Sequence, residues 1–371
     1  MTFPRPGRPL VATCLDLPFG SPGGSVELFL DLYTGDRPLL PARAFMLQPA
    51  GPRPTVPAGL DLLPVTGKAL EGPAFRRYTA ALGRALVHAL DAERIGVLHL
   101  HHLAFGATPA LLRALPRHPR IALVHGTDLL FAEQHRDQLR VLRESARLAD
   151  AIVVPTTAMA DHLTRLAPRT GTDKIHHIPW GIPDHLLTAP PAQATRPGGP
   201  RLRLLYAGRL TPEKGGGVLA EALAAAEHVE LSVAAPRAEF DALRPALRQA
   251  IHPVRYLGWL RRPQLWKAFA EHDALVMPST TLEAMGLVAL EAQACGLPVL
   301  YQPVPGLREA LGSSALATDF TDAATLARDL ERLRTSPTLL PALREAGRTN
   351  AARHPLSTTA AALADLGTQL R

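Results

Sequence analysis

In the stretch "PSTTLEAMGLVALEAQACGLPVL", which begins at Pro278, Glu283 stands just ahead of a helical run and Glu291 lies eight residues later, inside it. Gly286 opens the run, and Gly296 with Pro298 closes it. A helix start leaves backbone N–H groups unpaired, here at about Gly286, Leu287 and Val288, and a glycine lets an anion approach them closely. The spacing therefore predicts a phosphate seat at this helix start. Glu283 sits on the loop and Glu291 about one turn into the helix, so the two carboxylates flank the seat from different directions. That separation suits hydroxyls on either side of a phosphate better than one shared metal. The same two positions would equally serve as a helix-dipole residue and a solvent-facing glutamate.

A second stretch adds cations. "LLYAGRLTPEKGGG" ends a strand at Gly208 and places Arg209 and Lys214 on the loop that follows. A planar guanidinium and a compact ammonium together can neutralise a diphosphate. A surface pair between Glu213 and Lys214 is the competing reading. The glycine triplet has neither the dinucleotide nor the P-loop spacing. Toward the amino terminus, Gly23 and Gly24 in "GSPGGSVEL" form a permissive loop, and "HGTD" puts His125 and Asp128 at the carboxyl end of a strand. Asp128 reads first as a cap for the helix "LLFAEQ". In "LHLHH", His99 and His101 point to one strand face and His102 to the other. No neighbouring cysteine or carboxylate completes a ligand set, so no metal site is expected.

Positioning such groups requires open sheets. The runs "PLVATCL", "ARAFML", "GVLHLH", "RIALVH", "AIVVP" and "KIHHIP" read as strands. They alternate with helical patterns such as "VELFLDLY", "AFRRYTAALGRALVHALDAE", "AEQHRDQLRVLRESARLA" and "AMADHLTRLA". "TAPPAQATRPGGP" then excludes helix and central strand. Alternation resumes with "RLRLLYAG", "HVELSVAA", "PVRYLG", "ALVMP", "LPVLYQ" and "ALATD", and a terminal helix starts near a Ser357 cap. The reading is α/β: a doubly wound domain over 1–187, a linker over 188–200, a second such domain over 201–353 and a closing helix over 354–371. Ligands of open α/β sheets bind beyond the strands' carboxyl ends, so the two sheets are expected to face a central cleft.

The 371 residues, 47% hydrophobic and 20% charged, suffice for two cores. No apolar run is long or bare enough for a signal or spanning helix, and Cys14 and Cys295 read as reduced thiols, so a cytoplasmic location is expected. The net charge of +7 fits an anionic partner. The basic residues form no stripe and have few aromatics among them, which argues against nucleic acid. The basic helix "AFRRYTAALGRAL" could dock on an anionic membrane, but its apolar face is expected to pack on the sheet. Nothing in the sequence sets an oligomeric state.

"GRLTPEKG" followed by "PSTTLEAMGLVALEAQACGLPV" resembles the donor-binding half of the retaining nucleotide-sugar glycosyltransferases of family 4, with the two-domain GT-B fold. "VLHLHH", "HGTDL", "HHIPWGI" and the final helix extend the resemblance along the chain. It implies that Arg209 and Lys214 hold the donor diphosphate, and that Glu291 holds the ribose hydroxyls. Glu283, with backbone groups near Met285 and Gly286, would hold the transferred sugar. Gly23 and Gly24 would bring amides toward the diphosphate and acceptor, and His125 would sit beside the anomeric carbon. It further implies a donor that is a nucleotide-diphosphate sugar, a small polar acceptor, no cofactor and no essential metal, and a C-terminal helix crossing back to the first domain. A lipid or polysaccharide acceptor at a membrane surface, and a sensor that binds the sugar nucleotide without catalysis, are the competing expectations. Ala234, Ala235 and Pro236 replace a usual Gly-x-Gly, Trp180 a common asparagine, and "PVPGLRE" has one glycine, Gly306, where two are usual.

Overall fold

A computed structural model describes residues 9–192, 201–250 and 253–371. They form two compact units, one of residues 9–179 with 357–371 and the other of the described residues from 180 to 356. The expected linker over 188–200 lies for 193–200 outside the described residues, and its first residue, Thr188, ends a short helix, Asp184–Thr188. The first crossing between units falls at Pro179/Trp180, ahead of the expected boundary at 187.

The first unit holds β1 (Val11–Pro18), β2 (Ala42–Leu47), β3 (Leu60–Leu63), β4 (Val97–His101), β5 (Arg120–Leu123), β6 (Ala151–Val154) and β7 (Ile175–His177). They pair in the order β3-β2-β1-β4-β5-β6-β7, all parallel. The central strands are buried on both faces, as in Val11–Leu15 and Ala151–Val154, which is why they read as continuous apolar runs. The strand β3 was not among the predicted ones, because four residues, "LDLL", after a proline-rich stretch give too little pattern. The single helix expected over "AEQHRDQLRVLRESARLA" is two, Thr127–Gln134 and Arg136–Leu148. His135 between them is extended, its ring stacked on Phe131 at 3.8 Å and its Nδ1 2.7 Å from the Phe131 carbonyl.

The second unit holds β8 (Leu202–Ala207), β9 (Val229–Ala234), β10 (Val254–Tyr256), β11 (Ala274–Met277), β12 (Val299–Tyr301) and β13 (Leu316–Ala317). Their order is β10-β9-β8-β11-β12-β13, again all parallel. The strand order reverses between β1 and β4 in one sheet and between β8 and β11 in the other. These are the switch points at which doubly wound sheets bind ligands. Leu204, Leu231, Val233, Val276, Leu300 and Phe320 lie in the core of the second unit.

The last helix, Leu356–Gln369, starts one residue before Ser357, so Ser357 lies in its first turn and is not the cap expected of it. From Ser357 onward this helix belongs to the first unit, where Thr359 donates to the Pro179 carbonyl at 2.7 Å.

Arg203 on β8 grips Asp273, just before β11, through two side-chain bonds of 2.7 and 3.0 Å, and the Arg203 amide adds a third at 2.9 Å. Burial alone would raise the Asp273 carboxyl, but the Arg203 bonds and charge outweigh it and hold it below its ordinary value. A carboxyl with a depressed folded value adds stability above its unfolded value and loses it as pH falls through the folded one. Asp273→Asn is expected to lower Tm at pH 7, with the gap to the parent closing below about pH 4. Thermal melts across pH check this; a constant gap would refute it.

Candidate active site

In the second unit, three loops meet beyond the carboxyl ends of β8, β11 and β12. β8 runs into Gly208, whose φ of 151° no side-chain residue readily adopts. The Tyr206 hydroxyl folds the following loop back by donating to the Arg209 carbonyl. A one-turn helix, Pro212–Lys214, ends at left-handed Gly215 before the helix Gly216–Leu223. The loop after β11 is laced to this turn. Thr280 donates its amide to the Glu213 carbonyl and its hydroxyl to the Pro212 carbonyl, both at 3.0 Å. A Cβ on Gly215 would lie 1.9 Å from the Pro278 carbonyl oxygen.

That lacing brings Lys214 to Glu283. The Lys214 Nζ is 2.5 Å from Glu283 Oε1, which also accepts from the Ser279 hydroxyl at 2.8 Å. Glu283 is buried, while a third of the Lys214 side chain is exposed. The expected alternative, Lys214 with Glu213, is not what forms: Glu213 Oε1 is 3.3 Å from Arg209 Nη2 instead. The Glu283 backbone is held from the β12 side by the Pro305 carbonyl, 3.1 Å from its amide. Gly306 there has φ 88°, and a Cβ on it would fall 1.7 Å from the Glu283 carbonyl oxygen. This is the single glycine of "PVPGLRE".

Three residues past Glu283, Gly286 takes a left-handed conformation (φ 65°, ψ 54°) and caps the helix Leu287–Ala294. Its carbonyl accepts from Ala289 at 2.8 Å, and the amides of Leu287 and Val288, in the first turn, have no intrahelical acceptor. Both residues are partly exposed, whereas Met285 is buried. The helix ends as predicted, with left-handed Gly296 donating to Gln293 at 2.9 Å and Leu297 to Ala292 at 2.8 Å. Glu291 is 3% exposed, so the solvent-facing alternative is wrong. Arg262 Nη2 lies 2.7 Å from its Oε1, and Trp266 Nε1 donates to its Oε2 at 2.9 Å. Neither partner was foreseen; both come from the helix Arg262–Glu271, which precedes β11.

In the first unit, Gly23 (φ 143°) caps the helix Gly24–Tyr33, and a Cβ there would meet nothing within 4 Å. Asp128 is fully buried but does not cap its helix; Gly126 holds that place. Its carboxylate accepts from the amides of Leu103 at 2.8 Å and His125 at 3.2 Å, tying the loops after β4 and β5 together. His125 Nε2 is 2.9 Å from His101 Nδ1, and the two ring planes lie within 19° of each other, with centroids 5.0 Å apart. His99 and His101 share a strand face as expected, and both reach the Tyr33 hydroxyl. His102, left-handed at φ 71°, lies past the end of β4 with its ring against Phe105 and His125. Burial lowers His99, His102 and His125 to about 3, and His101 falls well below the ordinary imidazole value, so all four are neutral at pH 7. Among the described residues no group of three or more His, Cys, Asp or Glu could hold a metal ion.

A "Glycosyl transferases group 1" family model matches residues 201–336, and a "Glycosyltransferase Family 4" model matches residues 39–186. The D-inositol 3-phosphate glycosyltransferase of Thermobispora bispora is 31% identical over 309 residues, covering 74% of this chain and 71% of that one. Among solved structures, sucrose-phosphate synthase from Thermosynechococcus elongatus superposes with a TM-score of 0.76 at 19% identity, covering 98% of this chain and 99% of that one. The Anabaena protein HepE, solved with UDP-glucose, gives 0.74 at 17% identity, covering 97% and 100%. Two parallel sheets in two Rossmann-like units are the GT-B architecture of these structures. Sequence kinship and fold agree: this chain is a glycosyltransferase and belongs to family 4, the glycosyl transferases group 1.

Proposed function

We propose that this enzyme is a retaining, metal-independent glycosyltransferase that moves a sugar from a nucleotide-diphosphate donor to a small polar acceptor. One observation carries the reading: Lys214 is held against Glu283, three residues ahead of the unpaired amides that open the helix Leu287–Ala294. The bond from the anomeric carbon to the diphosphate oxygen breaks and leaves negative charge on the diphosphate. The Lys214 ammonium, the Arg209 guanidinium and the amides of Leu287 and Val288 stabilise that charge. With those cations in place the chain supplies the counter-charge itself. Lys214 carries three N–H donors, so Glu283 can hold one while others meet phosphate oxygens. Glu283 and the backbone at Met285 and Gly286 bind the sugar, Glu291 binds the ribose, and Gly23, Gly24 and His125 of the first unit serve the same reaction. A phosphate oxygen takes the acceptor's proton as the new glycosidic bond forms on the face the donor leaves.

The small-acceptor reading is favoured over a membrane-bound one by the helix Gly72–Ala89. Its Phe75, Tyr78, Leu82 and Leu86 are buried, so the apolar face of this basic helix is already covered. No helix among the described residues is long and apolar enough to cross a membrane. Cys14 and Cys295 are buried and not joined in a disulfide, which supports the cytoplasmic placement.

A thermal-shift screen of UDP-, GDP-, ADP- and TDP-sugars tests the donor class, since a ligand that binds the folded chain raises its Tm; no shift with any of the four would reject it. With the donor found, Lys214→Ala is expected to cut turnover by about 10²-fold or more, because charge stabilisation of the transition state is lost. Turnover equal to the parent's would remove Lys214 from the mechanism. Glu291→Gln is expected to raise the donor KM about tenfold with kcat little changed, the signature of binding lost equally in ground and transition states. Steady-state kinetics decide it, and a fall in kcat at constant KM would contradict the ribose role.

A further inference from the structure

The four histidines around the carboxyl ends of β4 and β5 are left partly unexplained by donor binding. Three of them lie on one continuous hydrogen-bond chain. His99 Nδ1 is 2.8 Å from the Tyr33 hydroxyl, the hydroxyl is 3.0 Å from His101 Nε2, and His101 Nδ1 is 2.9 Å from His125 Nε2. Tyr33, His99 and His101 are buried, and Phe29 packs edge-on against both Tyr33 and His101.

A chain of neutral groups of this kind has two polarities. In one, hydrogens run from His125 Nε2 toward His99, and His99 then carries its own hydrogen on Nε2. In the other they run from His99 Nδ1 through Tyr33 and His101 to His125, whose remaining hydrogen is on Nδ1. The far end decides between them. His99 Nε2 is buried and has no hydrogen-bond partner among the described residues. Leaving a buried N–H without an acceptor is costlier and rarer than leaving a lone pair bare. The second polarity leaves only the lone pair, and successive bonds in one direction polarise one another. Burial raises the Tyr33 hydroxyl well above its ordinary value, so it keeps the proton that the chain requires.

We propose that His99, Tyr33 and His101 are positioning residues that fix the tautomer of His125, placing its hydrogen on Nδ1 and engaging the Nε2 lone pair with His101. Held this way, His125 has its one lone pair engaged by His101 and does not act in the reaction as a base. The inference deepens the proposed function and rests on its assignment of His125 to the transfer.

The test is long-range proton–nitrogen NMR of the full chain labelled with 15N-histidine, His125 being identified by the signal missing in His125→Gln. The expected spectrum has the Nδ1–H tautomer at His125; an Nε2–H tautomer overturns the proposal, and this measurement needs no folded Tyr33 variant. In Tyr33→Phe the chain is cut, so His125 is expected to show both tautomers, with kcat down about tenfold and the donor KM within about twofold of the parent. An unchanged His125 tautomer in folded Tyr33→Phe also overturns it. Turnover of His125→Gln is read separately: no loss would overturn the role of His125 in transfer, and the relevance of the chain with it, whatever the tautomer.

Discussion

The Lys214–Glu283 contact exists because two backbones are allowed to touch. Gly215 lies against the Pro278 carbonyl and Gly306 against the Glu283 carbonyl, so a side chain at either place would overlap main-chain oxygen. Both glycines also adopt positive φ, where a substituent is strained even in open space. The loops after β8, β11 and β12 are therefore stacked by main-chain contact, and the reach of long side chains is secondary. A lysine side chain loses up to about 2 kcal/mol of rotamer freedom when fixed. Here that loss accompanies folding, which leaves the ammonium in a fixed place.

Charge balance follows the same plan. The half-buried cations each hold a carboxylate, Lys214 with Glu283 and Arg209 with Glu213, so these four side chains balance one another in charge. Glu291 lies deeper, and an ionised carboxylate there needs a fixed counter-ion; Arg262 supplies it, with the Trp266 indole completing the second oxygen. The exposed His185 meets the Trp266 ring edge-on, with centroids 5.3 Å apart. The acid's direction is set by Arg262 and Trp266 of its own unit.

Much of this was legible in the chain. Apolar runs between turn signals marked every strand except β3, and the Gly286-to-Gly296 stretch gave the helix with its start and stop in place. Period-two alternation put His99 and His101 on one face. The partners were not legible. Trp266 and Arg262 precede Glu291 by 25 and 29 residues on a different helix, and Tyr33 is 66 residues from His99, so only the folded topology brings them together. The break at His135 escaped for a different reason: helical periodicity continues through it, while the folded residue is extended with its ring stacked on Phe131. Gly306 was visible as a departure, but its use as the point of contact with Glu283 requires knowing which loop lies opposite.

The first unit is discontinuous in sequence, since it needs residues 357–371 as well as those before 180. A Cβ on Gly367 would sit 3.6 Å from Val97 and 3.8 Å from Ile121, the first residue of β4 and the second of β5, so the late helix covers the middle of that early sheet. During synthesis the amino-terminal sheet emerges first yet waits, with this face uncovered, until the whole second unit has left the ribosome. The second unit has all its residues by Leu356 and can close ahead of it. Order of translation and order of completion are thus reversed, and the early sheet is the part exposed to misassociation in the interval.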